Sequence, residues 1–180
     1  MPIGKLVKIG VWEDGEFSGV VIFSMGASDK LGKRWGLGTF EVCELSRLAL
    51  RPGHRSQVSR VVRVALAMLR KQSPGIRAVV SFADPAYHHG GVYQAGGWVY
   101  TGTTAPDRLY IDRDGREWHS REAKESGWNL GLGRTMQRVP KRSECTVRRV
   151  PGKHRYVMAL DAATKLAVMP FAKPAPAHEA

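Results

Sequence analysis

Cys43-Glu44-Leu45-Ser46-Arg47-Leu48-Ala49-Leu50, then Arg51-Pro52-Gly53-His54-Arg55-Ser56, then a helix running to Leu69, then Ala78-Val79-Val80-Ser81-Phe82-Ala83: this stretch decides the fold. Val58, Val61, Val62, Ala65, Leu66 and Leu69 recur at i, i+3, i+4, i+7, i+8 and i+11, the single apolar stripe of an amphipathic helix. Arg60, Arg63, Arg70 and Lys71 fall off that stripe. Ser56 is the expected N-cap, and Ser73-Pro74-Gly75 the expected stop. Residues 78–83 show no polar alternation, as in a central strand covered on both faces. Strand, helix and strand in that order predict a βαβ unit with a parallel pair. In the strand expected over residues 40–50 the alternation breaks near Cys43 and Glu44, a place for a bulge or a splay.

Outward from this unit, residues 7–11 and 17–23 are strand-like and flank Glu13-Asp14-Gly15-Glu16. The Asp-Gly pair supplies the positive φ angles of a tight hairpin. Residues 26–38, with four glycines and three basic residues, are expected to be a mobile loop that closes on substrate. A short helix is expected over residues 88–95, strands over 98–100 and 109–111, and a short helix over 119–126. Residues 127–133 are expected as a loop, 144–161 as a C-terminal hairpin, and 162–180 as a disordered Ala/Pro tail. The fold class is α/β (α+β), a central mixed sheet flanked by helices. It forms a single domain over residues 1–161, with 119–143 as an irregular insertion.

Charge is the strongest bulk signal. Lys and Arg number 28 against 16 Asp and Glu, a formal net charge of +12. Such an excess speeds the capture of polyanions and points to nucleic acid, unless the partner is simply an acidic surface. Basic residues gather at Arg47, Arg51, Arg55, Arg60 and Arg63. A second group is Arg134, Arg138, Lys141, Arg142, Arg148, Arg149, Lys153 and Arg155. No apolar run approaches the roughly 18 residues of a helical membrane span, so no membrane partner is expected. Cys43 and Cys145 form no CxxC pair and are expected to be reduced thiols of a cytosolic protein.

Three constellations carry chemistry. The first is the basic turn into the helix. Unpaired N–H groups at a helix N-terminus hold phosphate, so Arg51, His54, Arg55, Ser56, Gln57 and Val58 are the candidate cofactor contacts. A plain capped helix with solvated arginines accounts for the same residues. The second runs from Ser81 to Trp98, where a strand end meets a short helix. Asp84 is a candidate base there and Tyr93 a candidate acid or donor-orienting group, with Tyr87, His88 and His89 nearby. A structural turn at Asp84-Pro85 and a packed Tyr93 are the alternatives. His88, His89 and His119 are ligand types for a metal, and iron or zinc is admissible, although no HxxxH spacing exists. The third is Lys153-His154-Arg155-Tyr156, a basic and aromatic run suited to phosphate contact and base stacking, or else a solvated hairpin tip.

The order hairpin, long strand, basic turn, helix, strand, short helix with a tyrosine, strand resembles the GNAT superfamily over residues 7–102. The phosphate loop of that superfamily, Gln/Arg-x-x-Gly-x-Gly/Ala, is degenerate in Arg55-Ser56-Gln57-Val58-Ser59-Arg60. A narrower set is similar to the Mom-type phage proteins. It comprises Gly19-Val20-Val21-Ile22-Phe23, Glu44-Leu45-Ser46-Arg47-Leu48-Ala49-Leu50, Val58-Ser59-Arg60, Ser81-Phe82-Ala83-Asp84 and Gly91-Val92-Tyr93-Gln94-Ala95. Trp98, Tyr100, His119 with Arg121, and Lys153-His154-Arg155-Tyr156 extend it to about residue 160.

That resemblance implies a GNAT-like transferase in the cytoplasm of a bacterial host, adding a carbamoylmethyl group to the exocyclic N6 of adenine. Its partner would be double-stranded DNA, protected thereby from restriction; a dimer is admissible. Asp84, Glu44 and Tyr93 would be catalytic. Ser46, Arg47, His88, Trp98, Tyr100, Lys153, His154, Arg155 and Tyr156 would contact DNA, the aromatics among them holding the extruded base. The donor stays open between an acyl-CoA-like molecule, an aminoacyl carrier and an iron-assisted step. Two other readings stand beside this one: a conventional acyl-CoA-dependent N-acyltransferase on a small amine or protein, and a non-catalytic DNA-binding module.

Overall fold

Asp14 (φ 50°) and Gly15 (φ 83°) make the tight turn that joins β1 (Val7–Glu13) to β2 (Glu16–Ser24). A computed structural model describes residues 6–26, 28, 30–130 and 135–177. The chain divides into two compact units, Met1–Thr103 with His154–Ala180, and Thr104–Lys153.

The first unit is built on a six-stranded sheet. After β2 come β3 (Val42–Leu50), α1 (Val58–Gln72), β4 (Ala78–Ala83), α2 (Gly91–Ala95) and β5 (Val99–Thr103). The last strand of this unit, β11 (His154–Ala159), enters between β4 and β5, giving the order β1-β2-β3-β4-β11-β5. β3 and β4 are parallel and every other neighbouring pair is antiparallel. One face packs Ile9, Val21, Phe23, Cys43 and Leu45 against Val62, Ala65, Leu66 and Leu69 of α1 and Tyr93 of α2. The other face packs Val42, Ala78, Val80 and Val157 beneath Trp35, Leu37 and Val168. β4 is therefore apolar on both sides, as its unbroken run requires.

Two strands locate the irregularity foreseen in residues 40–50. In the β2–β3 register Ile22 faces Arg47 but Phe23 faces Leu45, so Ser46 is bulged out. The bulge changes the spacing of inward residues from two to three, and Cys43, Leu45, Leu48 and Leu50 all reach the α1 side. Pairing of β3 with β4 stops at Glu44–Val80, and beyond it the strands diverge.

Several expectations are corrected. Residues 26–38 are not an open loop where described: a short 3-10 helix (Lys33–Trp35) buries Trp35 and Leu37 as the lid of the second core. Gln57, not Ser56, is the N-cap of α1, and it makes no side-chain cap bond. Residues 144–161 form no hairpin, because the two strands belong to different sheets. The tail is ordered through α3 (Ala162–Val168), capped by Asp161, whose carboxylate accepts Thr164 N–H at 2.7 Å. Arg77 holds the same carboxylate at 3.0 Å, and Val168 is fully buried. Asp161-Ala162-Ala163-Thr164 was a readable cap signature outweighed by the Ala/Pro composition.

The second unit holds β6 (Asp107–Ile111), β7 (Glu117–His119), β8 (Trp128–Leu130), β9 (Met136–Arg138) and β10 (Thr146–Val150). β10-β6-β7 make one antiparallel sheet and β8-β9 a separate hairpin. No helix forms over residues 119–126. Instead half-buried Arg142 donates to the Ser120 and Ala123 carbonyls at 2.7 and 2.8 Å and lies over the Tyr110 ring, tying a turn down. Gly131, Gly133 and Arg134 lie outside the described residues.

Candidate active site

The wedge where β3 leaves β4 is floored by a polar relay. The Ser81 hydroxyl lies 3.1 Å from the Leu45 carbonyl and 2.8 Å from the Tyr93 hydroxyl. A carbonyl only accepts, so when Ser81 donates to Leu45 the Tyr93 O–H supplies the proton of the other bond. Tyr93 is 6% exposed, and burial, with the Glu44 charge adding to it, pushes its ionisation above the usual tyrosine range. At neutral pH it is a proton holder. The Glu44 carboxylate lies against Gly26, where a Cβ would come within 3.3 Å of it. Beside it the hydroxyls of Ser24 and Ser46 are 2.5 Å apart, and Ser46 donates to the Glu44 carbonyl at 3.2 Å. Ser81 and Tyr93 are buried together on the α1 side of the sheet, while Glu44, between the inward Cys43 and Leu45, lies on the other side against Gly26, with Ser46 at the bulge beside it. Ser81 is the residue that sequence reasoning missed; its signal was a lone serine inside an otherwise apolar strand.

Asp84 stands at the end of β4, and its carboxylate accepts Ala86 N–H at 3.1 Å inside a turn whose carbonyl also receives Tyr87 and His88 N–H. Tyr87 is 87% exposed and His88 is exposed. The chain then passes over Tyr156 so closely that a Cβ at Gly90 would sit 2.3 Å from its ring, and Gly90 has φ +90°. Tyr156 donates to the His89 carbonyl at 2.5 Å and accepts from Gln94 Nε2 at 3.1 Å.

Trp98 and Tyr156 are corrected as base-stacking candidates. Tyr156 is fully buried and Trp98 is 6% exposed. Both pack on Tyr93, at 5.1 Å for Trp98 and 5.2 Å for Tyr156, with Tyr100 5.2 Å from Tyr156. They are the core beneath the wedge and set the position of the Tyr93 ring. The run 153–156 does not act as one cluster, because strand alternation separates it. Lys153 is exposed in the second unit, His154 Nδ1 is 3.1 Å from the Tyr100 hydroxyl, and Arg155 points the other way to Thr101. Arg47 is exposed on β3. Among the described residues, no group of three or more His, Cys, Asp or Glu is placed to hold a metal ion. His119 lies in the second unit, 3.2 Å from the Asp107 carboxylate.

The predicted cofactor loop is occupied from within. The Glu13 carboxylate accepts the backbone N–H groups of Arg55 (3.2 Å) and Ser56 (2.8 Å), and the Ser18 hydroxyl at 3.0 Å. Its ionisation falls to about 2, chiefly through the Ser56 hydroxyl and then the two backbone bonds. Asp14 pairs with Arg55, and Glu16 with Arg51 at 2.7 Å. His54 Nδ1 contacts the Ser56 carbonyl at 2.9 Å. A diphosphate would have to displace one carboxylate and then face two others. Arg51, His54, Arg55 and Ser56 therefore do not fit an acyl-CoA pyrophosphate, and Gln57 and Val58 begin the helix behind them. An acidic turn and a basic turn of matching charge were the available sequence signal.

On the described surface, Arg60, Arg63, Arg70 and Lys71 face outward from α1. In the second unit Trp128 is 50% exposed and faces Arg138 across the β8–β9 hairpin. No helix among the described residues is long and apolar enough to cross a membrane.

A model of the Mom protein family matches residues 1–177. In fold, the chain is similar to an agmatine N-acetyltransferase mutant in its apo form. The two are 11% identical over 85% of this chain and 74% of that one, with a TM-score of 0.48. It is also similar to a tandem GNAT protein from the clavulanic acid biosynthesis pathway, without AcCoA, at 18% identity and a TM-score of 0.43. That match covers 71% of this chain and 39% of that one. No curated protein matches. The mixed sheet has a single parallel step, at β3–β4, and its last strand is inserted between β4 and β5.

Proposed function

The chain belongs to the Mom protein family, and from that premise we propose that it is a DNA-modifying transferase placing a carbamoylmethyl-type group on the N6 of adenine. The observation that carries this reading is the buried Tyr93–Ser81 relay where the β3–β4 pairing ends, with Glu44 the last paired residue of β3. The adenine N6 lone pair is delocalised into the ring, so attack needs a placed base and an oriented electrophile. Glu44 or Asp84 takes the proton that N6 loses as the new N–C bond forms. Tyr93, held protonated by its burial, orients the donor or protonates the group that leaves.

Duplex adenine must leave the stack to reach this wedge. The net charge of +12 and the outward arginines of α1 support capture of the backbone, and exposed Trp128 beside Arg138 offers an aromatic face for DNA. Glu13 in the α1 loop speaks against an acyl-CoA donor and for a carrier that does not present a pyrophosphate there. Nucleoside mass spectrometry on DNA from cells expressing the chain tests the proposal. A mass-shifted deoxyadenosine is expected, and its absence with abundant folded protein refutes the assignment.

A further inference from the structure

Three cations converge on one cleft of the first unit without a carboxylate among them. The cleft measures about 280 Å³ and is lined by Arg34, Thr101, Thr103, Arg155, Phe171 and Lys173. Each cation is held by packing and hydrogen bonds, not by a counter-charge. Arg34 stacks over the Phe171 ring at 4.8 Å. Half-buried Arg155 donates from Nε to the Thr101 hydroxyl at 2.9 Å and from its terminal nitrogen to the Thr101 carbonyl at 3.2 Å. The Lys173 backbone donates to the Tyr100 carbonyl at 2.9 Å, and its side chain runs over Gly102, where a Cβ would come within 3.2 Å of Nζ.

Among the described residues, the ion pairs of the molecule leave all three unmatched. Burial first, and then the positive charge of Arg34, lower the ionisation of Arg155. Ordinary surface arginines relieve such repulsion by swinging apart into water. Here a cation–π contact, a paired threonine and a backbone hydrogen bond hold them together, and such preorganisation favours an anion that bridges them.

We propose that this cleft is a phosphate-binding site, distinct from the α1 loop that Glu13 fills. Its chemistry suits a phosphodiester of DNA or the terminal phosphates of a small phosphorylated molecule equally. The DNA alternative rests on the function proposed above; the phosphate site itself does not.

The test uses the full chain and the double variant Arg34→Gln/Lys173→Gln, both exposed positions. Arg113→Gln/Arg116→Gln, exposed on a turn of the second unit, removes the same charge elsewhere. Inorganic pyrophosphate is titrated into each by calorimetry. Saturable binding is expected, weakened at least about tenfold in the cleft variant and less than about twofold in the other. No saturable binding, an unchanged cleft variant, or equal weakening of both variants overturns the site. A thermal melt checks folding. If the loss of the Phe171 contact lowers stability, Lys173→Gln alone carries the comparison.

A labelled duplex of about 20 base pairs, followed by anisotropy against salt, then names the source. A slope of log K on log salt reduced by about 1 to 2 in the cleft variant assigns the phosphate to DNA. An unchanged slope alongside lost pyrophosphate binding assigns it to a small phosphorylated molecule. A wild-type chain that ignores the duplex but binds pyrophosphate as expected refutes the DNA reading and keeps the site.

Discussion

Tyr93→Phe separates chemistry from packing at the wedge. The ring is 6% exposed and keeps its contacts with Trp98 and Tyr156 after the substitution, so no cavity forms. One neutral buried hydrogen bond, the 2.8 Å contact with Ser81, is lost, a net effect of about 0.5–1.5 kcal/mol. Ser81 still donates to the Leu45 carbonyl at 3.1 Å, which leaves no orphaned donor and holds the cost near the low end. At roughly 2–4 °C per kcal/mol for a chain of this size, the melting temperature should fall by no more than about 6 °C. A proton donor in the transition state contributes about 10²–10⁴ in rate, so modified deoxyadenosine should drop at least about a hundredfold. The assay pairs nucleoside mass spectrometry with thermal melts on the same preparations. Ser81→Ala is the companion: it strips both contacts from the relay and should cost about 1–3 kcal/mol, with a smaller loss of modification than Tyr93→Phe. Modification near the wild-type level in Tyr93→Phe refutes a chemical role for the hydroxyl. A loss accompanied by a melting shift beyond about 10 °C refutes the claim that the hydroxyl is dispensable for folding.

The remaining predictions concern the loop, the aromatic core and the thiol. Acetyl-CoA titrated into the Arg34→Gln/Lys173→Gln variant, whose phosphate cleft is disabled, should give no saturable heat, and micromolar binding there would show that Glu13 does not block the loop. The Glu13 carboxylate is depressed to about 2 from an ordinary value of 4.5, so its contribution is present above pH 4.5 and lost as pH falls toward 2. Exchange of the Arg55 and Ser56 amides, normalised for intrinsic rate, should accelerate across that window, and a flat profile counts against the clamp. Gly90→Ala would drive a methyl into the Tyr156 ring at a left-handed φ and should destabilise the chain by about 2–4 kcal/mol in urea titrations; a change below about 1 kcal/mol refutes the close approach. The Cys43 thiol, pushed up to about 12 by burial and then by Glu44, should resist iodoacetamide at pH 8 until the chain is unfolded. Rapid native labelling at that position would contradict its burial.

What the sequence determined alone is the part of the molecule written in short periods. The α1 stripe, the two-faced run of β4 and the Asp14-Gly15 hairpin are each specified by residues within about a dozen positions, where backbone geometry converts spacing directly into structure. Even the break in β3 was legible, although its cause, the bulge at Ser46, lies two residues past the point where alternation falters. Only the tertiary structure decided that Tyr156 and Trp98 are core and not surface, since a sequence does not say which face of β11 meets α2. It alone placed β11 between β4 and β5 and tied Asp161 to Arg77, 84 residues away. It also set Glu13 on the helix turn 43 positions later, in the place where resemblance called for a cofactor phosphate. Those contacts depend on loops closing and on charges and hydrogen bonds meeting across the fold. Their partners are chosen by three-dimensional proximity, which no local pattern encodes.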